Sequence, residues 1–243
     1  MKLQWNKTTR MNYLTYAVVL IAFVVMQIMA STGSISSTLR GMLVPICAYV
    51  VMTISLNLTV GILGELSLGQ AGFMSVGAFT GVTAAIALSE RCSSGLVCLI
   101  VGMIVGAVFA AIIGFLIGIP VLRLKGDYLA IVTLAFGEII KGIFNNLFVG
   151  IDSNGLHMSL LADNTNLAEG GKLIIGGPMG IGSIPRLSTF TVGVVLVFIS
   201  LIVVFHLVNS RAGRAIMAVR DNRIAAESIG VNITKYKLMA FTV

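Results

Sequence analysis

The sequence predicts an all-α fold, a polytopic bundle of transmembrane helices, from three observations. Hydrophobic residues make up 57% of the chain and charged residues only 10%, with a mean hydropathy of +1.03, whereas soluble domains average about 45–50% apolar and about 25% charged. No single core hides that surplus, so lipid is the solvent for much of the surface. The apolar residues also gather into runs near 13–30, 41–63, 66–89, 95–119, 127–149 and 190–209, each close to the roughly 20 residues that cross a hydrocarbon layer. Finally, the cations are unevenly divided between the connections.

In chain order, Lys2, Lys7 and Arg10 precede the first run, which ends without an A-x-A cleavage pattern and is followed by further runs. It predicts a retained first helix rather than a removed leader. Each span must be helical because hydrocarbon leaves backbone groups no other partner. With the N-terminus in the cytoplasm, Lys2, Lys7, Arg10, Arg123, Lys125, Arg211, Arg214, Arg220, Arg223, Lys235 and Lys237 lie inside, against Arg40, Arg91, Lys172 and Arg186 outside. The acidic residues divide evenly, with Glu65, Asp127, Asp221 and Glu227 inside and Glu90, Asp152, Asp163 and Glu169 outside. That is the pattern when cations alone orient the chain. The net charge of +7 is therefore topology, and no basic groove interleaved with aromatics points to nucleic acid. A seventh apolar run begins at Lys237, and Val243 stands only about seven residues into it, where a span needs about 20. We therefore expect residues 1–243 to be one transmembrane domain truncated at its C-terminus.

The third span carries unusual residues. Gly64–Gly81, GELSLGQAGFMSVGAFTG, holds five glycines between strongly apolar flanks. Gly69, Gly72, Gly77 and Gly81 let a neighbouring helix approach backbone to backbone. Gly77/Gly81 is one small-xxx-small pair, repeated in the fourth span by Gly102/Gly106 and Gly114/Gly118. Two readings stand. The glycines serve helix packing alone, or the helix unwinds beside a translocation path lined by Asn57, Ser67, Gln70 and Thr80.

In the fifth span, Asp127 is placed as a natural N-cap. Glu138 follows about 16 Å along the axis, near mid-membrane, with Lys141 one turn on and Asn145 beyond it. Ionisable groups at that depth are disfavoured by about 2.5–3.5 kcal/mol each on insertion scales. A pair at i, i+3 is therefore either a buried ion pair stapling helices together or part of the path.

Two connections are long. Residues 150–189 form an external loop with two glycine-rich clusters, read either as a shaped mouth or as an ordinary turn cluster. Residues 210–236 form the longest inside connection. Asp221 or Asn222 starts a helix there and Gly230 stops it, giving about two turns at 222–229 on which Ala225, Ala226 and Ile229 share a small-residue stripe. So short a helix needs something to dock on. Arg214 and Arg220 meet either a partner protein or anionic headgroups.

Other chemistry finds no pattern. Cys47, Cys92 and Cys98 form no even disulfide framework or CxxC site. Gly170-Gly171-Lys172 is followed by leucine, so no phosphate-binding GxxxxGK[ST] loop occurs. His157 and His206 are isolated, without metal-ligand or catalytic spacing. The sequence indicates a non-enzyme that binds no metal or cofactor.

Several blocks together resemble the permease subunit of the bacterial ABC importers for branched-chain amino acids. Ser55–Gly61 (SLNLTVG) runs into GELSLGQAGFMSVGAFTG. Leu122–Leu134 (LRLKGDYLAIVTL), Phe136–Ile140 (FGEII), Gly176–Ile181 (GGPMGI) and Gly213–Asn222 (GRAIMAVRDN) follow in the family's order. Ile224–Gly230 (IAAESIG) is similar to the importer coupling loop, with Ile224 standing where that pattern has glutamate. The resemblance implies an inner-membrane permease forming half of a translocation path, and the polar residues read above from their placement in the spans, Asn57, Ser67, Gln70, Thr80, Glu138, Lys141 and Asn145, are the candidates for lining it. It assigns Ala225, Ala226, Glu227 and Gly230 to ATPase coupling, with Arg214 and Arg220 as candidates beside them if they meet the partner rather than headgroups. It implies ATP bound by two partner ATPase subunits, a second permease, and a periplasmic binding protein that chooses the solute. Two other functions fit the residues: an ion-coupled secondary carrier using Glu138/Lys141, and a membrane scaffold that does not transport.

Overall fold

The computed structural model describes residues 7–89, 94–122, 124, 126–152, 155–160, 171–182 and 187–242. Of the positions singled out above, Lys2, Glu90, Arg91, Cys92, Arg123, Lys125, Asp163, Glu169, Gly170, Arg186 and Val243 lie outside them. The described residues contain six helices long and apolar enough to cross a membrane, and the fold is the polytopic helical bundle that composition predicts. The spanning helices are α1 (Lys7–Ser31), α2 (Ser37–Asn57), α3 (Gln70–Ser89), α4 (Gly95–Val121), α5 (Asp127–Asn145) and α6 (Phe190–Asn209). Three shorter helices follow, α7 (Arg211–Asp221), α8 (Arg223–Ser228) and α9 (Ile233–Thr242).

The chain divides into two compact units. One comprises residues up to Ser55 together with Ser188–Arg214. Its core joins Cys47 of α2 to Val194, Val197 and Leu201 of α6, flanked by Tyr16 and Phe23 of α1. Tyr16 meets Phe205 edge-on at 5.6 Å, and Phe23 lies 5.5 Å from Phe190. A Cβ at Gly193 would stand 2.9 Å from the Cys47 Cβ, so glycine is what lets α6 touch α2 there.

The other unit comprises Leu56–Leu187 and Ala215–Val243. In it α3 packs on α4 and on α5, and α4 packs on α9. The helix expected over 66–89 starts only at Gln70. Leu58–Leu63 continues α2 as a single π-helical turn, Gly64 ends that turn with φ +78°, and residues 64–69 run on without helix. Hydropathy alone places Leu66 and Leu68 in the span, although non-helical backbone carries them. Helix α5 begins at Asp127 with Gly126, φ +57°, in the cap position, so the cap falls one residue before the expected Asp127.

The span expected over 127–149 ends at Asn145. The chain then turns into strand β1 (Phe148–Asp152), which is central in an antiparallel sheet between β2 (Gly155–Ser159) and β3 (Lys172–Gly176). Asp152 pairs with Gly155 and Phe148 with Ser159 across the hairpin, and Phe148 faces Gly176 on the other side. The apolar residues that lengthened the predicted span, Leu147 and Val149, pack with Ile151, Ile174 and Ile175 over Phe79, Val82 and Ile86 of α3 and Phe144 of α5. Phe79 and Phe144 stack at 4.2 Å. The segment expected as an open loop or turn cluster over 150–189 is thus partly a sheet lidding the ends of α3 and α5.

Candidate functional site

The break between α2 and α3 is held from within the protein. The backbone amides of Gly64 and Glu65 both donate to the Thr59 carbonyl. The Leu68 amide donates to Thr133 Oγ1 of α5 at 3.0 Å, and the Thr133 hydroxyl in turn donates to the Ala130 carbonyl at 2.9 Å. A Cβ at Gly69 would come 2.7 Å from the Thr133 carbonyl oxygen. Glycine is therefore the residue that lets the non-helical segment lie against α5. Non-helical backbone is tolerated at membrane depth only when protein supplies such partners.

Along α3 the four glycines divide between two neighbours. Gly69 and Gly72 face α5, a Cβ at Gly72 standing 3.1 Å from the Gly137 Cα. Gly77 and Gly81 face α4, where a Cβ at Gly81 would be 2.8 Å from the Gly102 carbonyl oxygen and one at Gly106 only 2.5 Å from that of Gly77. These are backbone-to-backbone contacts of the small-xxx-small kind. The further pair does not join them: a Cβ at Gly114 meets nothing within 4 Å, and one at Gly118 meets Leu238 of α9.

On α5 the buried side holds Leu129, Ala130, Thr133 and Ile140. The opposite side carries Glu138, Lys141 and Asn145 at i, i+3 and i+7, one stripe of a helix. Lys141 Nζ donates to Glu138 Oε2 at 3.3 Å, and both side chains are about two-thirds exposed, 66% and 65%. The pair stays within one helix, and among the described residues neither side chain pairs with another helix of this chain. A polar stripe at this depth requires water, a polar solute or another protein against it.

The other candidate path residues are placed differently. Ser67 is buried, 2% exposed, with its Oγ unpartnered. Asn57 is exposed at the end of α2, its side chain filling the space a Cβ at Gly61 would need. Gln70 and Thr80 are half-buried, and the Thr80 hydroxyl donates within its own helix to the Val76 carbonyl at 2.7 Å. Only Glu138, Lys141 and Asn145 form a shared open face.

Helices α7, α8 and α9 pack around Ala226 through Val219 and Ile233. Asn222 Oδ1 accepts from the Ala225 amide at 3.0 Å, capping α8. Gly230, φ +84°, closes it, with the Val231 amide returning to the Ala226 carbonyl. The expected stripe of Ala225, Ala226 and Ile229 is split. Ala226 is 2% exposed and packs on Val219 of α7 and Ile233 of α9, while Ala225 and Glu227 face outward with Ile224 and Ile229, which remain 81% and 76% exposed. Arg214 donates to the Asn209 carbonyl at 3.2 Å.

Arg220 lies across Gly64, where a Cβ would come 2.6 Å from its Cγ, and its guanidinium donates to the Gly61 carbonyl at 3.2 Å and to the neighbouring Asp221 carboxylate. A cation at the carbonyl end of a helix is favoured by the helix dipole. Lys237 of α9 forms a buried ion pair with Glu65.

Sequence reasoning missed Thr133, the Glu65–Lys237 pair and the sheet. Thr133 reads as one more β-branched residue in an apolar run. Glu65 and Lys237 stand 172 positions apart, beyond any local pattern. The sheet did leave a signal: Asp152-Ser153-Asn154-Gly155 between short apolar runs is a hairpin sequence.

Comparison with known proteins fits this architecture. Residues 38–243 match the family described as "Branched-chain amino acid transport system / permease component". A Salmonella typhimurium protein named "High-affinity branched-chain amino acid transport system permease protein LivM" is 34% identical over 98% of this chain and 55% of its own length. The Escherichia coli protein of the same name is 34% identical over 80% of this chain and 47% of its own length. This chain thus spans about half the length of the relatives it matches. No solved structure matches. With the match running from the start of α2 through α9, the chain belongs to the family of permease components of branched-chain amino acid transport systems.

Proposed function

We propose that this chain is the membrane-spanning subunit of an ATP-driven importer of branched-chain or related amino acids in the bacterial inner membrane, with its N-terminus in the cytoplasm. It supplies half of the translocation path. A second permease supplies the other half, two ATPase subunits bind and hydrolyse the ATP, and a periplasmic binding protein delivers the solute. The solute passes the open stripe of Glu138, Lys141 and Asn145, where the charged pair and the amide meet the ammonium and carboxylate of an amino acid.

The observation that carries this reading is the state of α8. A six-residue helix is far too short to persist alone in water, yet this one is capped at both ends and seated through Ala226 while Ile224 and Ile229 stand bare. Such a helix is built to be covered by another protein. The cation asymmetry puts it on the cytoplasmic side, where ATPases work. Closure of the ATPases pushes α8, and the attached helices tilt to open the path alternately to each side.

The test is reconstitution of the chain in vesicles with its partner subunits. Uptake that requires ATP and the ATPases supports the importer. Uptake driven by an ion gradient with no ATPase present would establish the carrier instead, as the exposed Glu138–Lys141 pair at membrane depth would allow. No uptake, with no ATPase co-purifying, would leave a scaffold.

A further inference from the structure

We propose that the Glu65–Lys237 ion pair, together with the Arg220 side chain laid over Gly64, is the link that carries movement of α8 into the break between α2 and α3. The inference rests on the importer reading above and names the residues that would couple its two ends.

The α8 helix is not a free arm. Val219 of α7 and Ile233 of α9 hold it through Ala226, so a push on α8 reaches both flanking helices. Both of those helices grip the same short stretch of chain. Leu63 of the π-turn is buried with Ile216 of α7 and Ala240 of α9, with Ile62 and Tyr236 packed on them. Arg220 of α7 donates to the Gly61 carbonyl and passes over Gly64 at a distance only glycine permits. Lys237 of α9 pairs with Glu65, the residue after Gly64. Immediately beyond, Leu68 and Gly69 are fixed to Thr133 of α5. Thr133 stands about 7.5 Å along the helix from Glu138 on the open stripe. Contact is therefore continuous from α8 to the helix that bears the polar stripe.

Contiguity alone does not transmit force; a coupling element needs two arrangements. The gripped stretch has the marks of one. It is π-helical, a form that recurs as single turns at functional sites, and it ends in a left-handed glycine. Among the described residues, Glu65 Oε2 and Ser67 Oγ are the buried side-chain polar atoms lacking a hydrogen-bond partner, and both lie in this one segment. Buried polar groups are nearly always partnered. These two orphans stand two and four positions past Leu63, where the turn ends, and give a shifted conformation interactions to gain.

The experiment uses the assembled importer in vesicles and reads uptake and ATP hydrolysed per solute. Three forms are compared with the wild type: the neutral pair Glu65→Gln with Lys237→Met, which strands no buried charge; the exchanged pair Glu65→Lys with Lys237→Glu; and Arg220→Gln, whose side chain is 40% exposed. The neutral pair and Arg220→Gln are expected to raise ATP consumed per solute about 10-fold while hydrolysis continues, the size of an ordinary coupling between sites. The exchanged pair is expected to regain most of the lost coupling. Unchanged stoichiometry in both the neutral pair and Arg220→Gln would overturn the link and leave the importer intact. So would a fall of hydrolysis and uptake in equal proportion, which marks mere loss of folded protein. Wild-type vesicles without ATP-dependent uptake would overturn the importer reading itself, and the link with it.

Discussion

The α3–α4 contact allows a graded test, because the spacing differs from one glycine to the next. Replacing Gly106 by alanine puts a methyl group 2.5 Å from the Gly77 carbonyl oxygen, and the same change at Gly102 puts one 2.7 Å from the Gly81 oxygen. Both obstacles are backbone, which cannot swing aside as a side chain does. The helices must separate, and overpacking of this kind costs about 1–3 kcal/mol. Against this, alanine is better than glycine inside a helix by about 1 kcal/mol. At Gly77 the nearest atom would be 3.5 Å away and at Gly114 nothing lies within 4 Å, so only the favourable term remains. The Gly106→Ala and Gly114→Ala variants should therefore differ by about 2 kcal/mol, or about 4–8 °C in Tm for a chain of this size. Thermal unfolding of the purified variants in detergent, followed by a thiol-reactive dye or by loss of the monodisperse peak, measures this. A Gly106→Ala protein as stable as Gly114→Ala would refute the backbone-contact argument.

Four further outcomes are expected. Thr133→Val keeps the shape but leaves the Leu68 amide without its acceptor, and should lower stability by about 1–3 kcal/mol in the same assay. Asn222→Ala removes the α8 cap and should cost that helix about 1 kcal/mol, seen as faster hydrogen exchange at Ala225 and its neighbours. Ile224→Ser with Ile229→Ser should leave Tm unchanged, since both side chains are exposed, but cut ATPase co-purification at least about 10-fold, as loss of interface anchors does; undiminished co-purification would remove α8 from the interface. Glu138→Gln should reach the membrane at normal abundance and lose uptake, and unchanged uptake would take Glu138 off the path.

How much of this was legible in the sequence follows from what each feature depends on. Lipid makes apolar composition decisive, so the existence of six spans could be read from hydropathy. Their ends could not, because Leu66 and Leu68 are apolar within non-helical backbone and Val149 is apolar in a sheet. Caps are local chemistry, and Asn222 and Gly230 marked the ends of α8 correctly to within a residue. Which alanine faced inward depended on Val219 and Ile233, and a helical wheel of six residues carries no such information. The Glu138–Lys141 pair was visible as spacing, but whether it stapled helices or lined an open face depended on what packed against α5. The Glu65–Lys237 pair and the Leu68–Thr133 bond are long-range, fixed by the tertiary fold alone.

The strands after α5 tie two of the spanning helices into one apolar core. Phe79, Val82 and Ile86 from α3 and Phe144 from α5 share a single apolar core with Val149, Ile151, Ile174 and Ile175. A load applied to the strands thus arrives at two helices at once, through close-packed side chains with little slack. On the importer reading proposed above, a delivery protein settling there would press on α3 and α5, the same two helices that are joined near Gly69 and Thr133, so arrival of cargo and firing of the motor would address one shared lever.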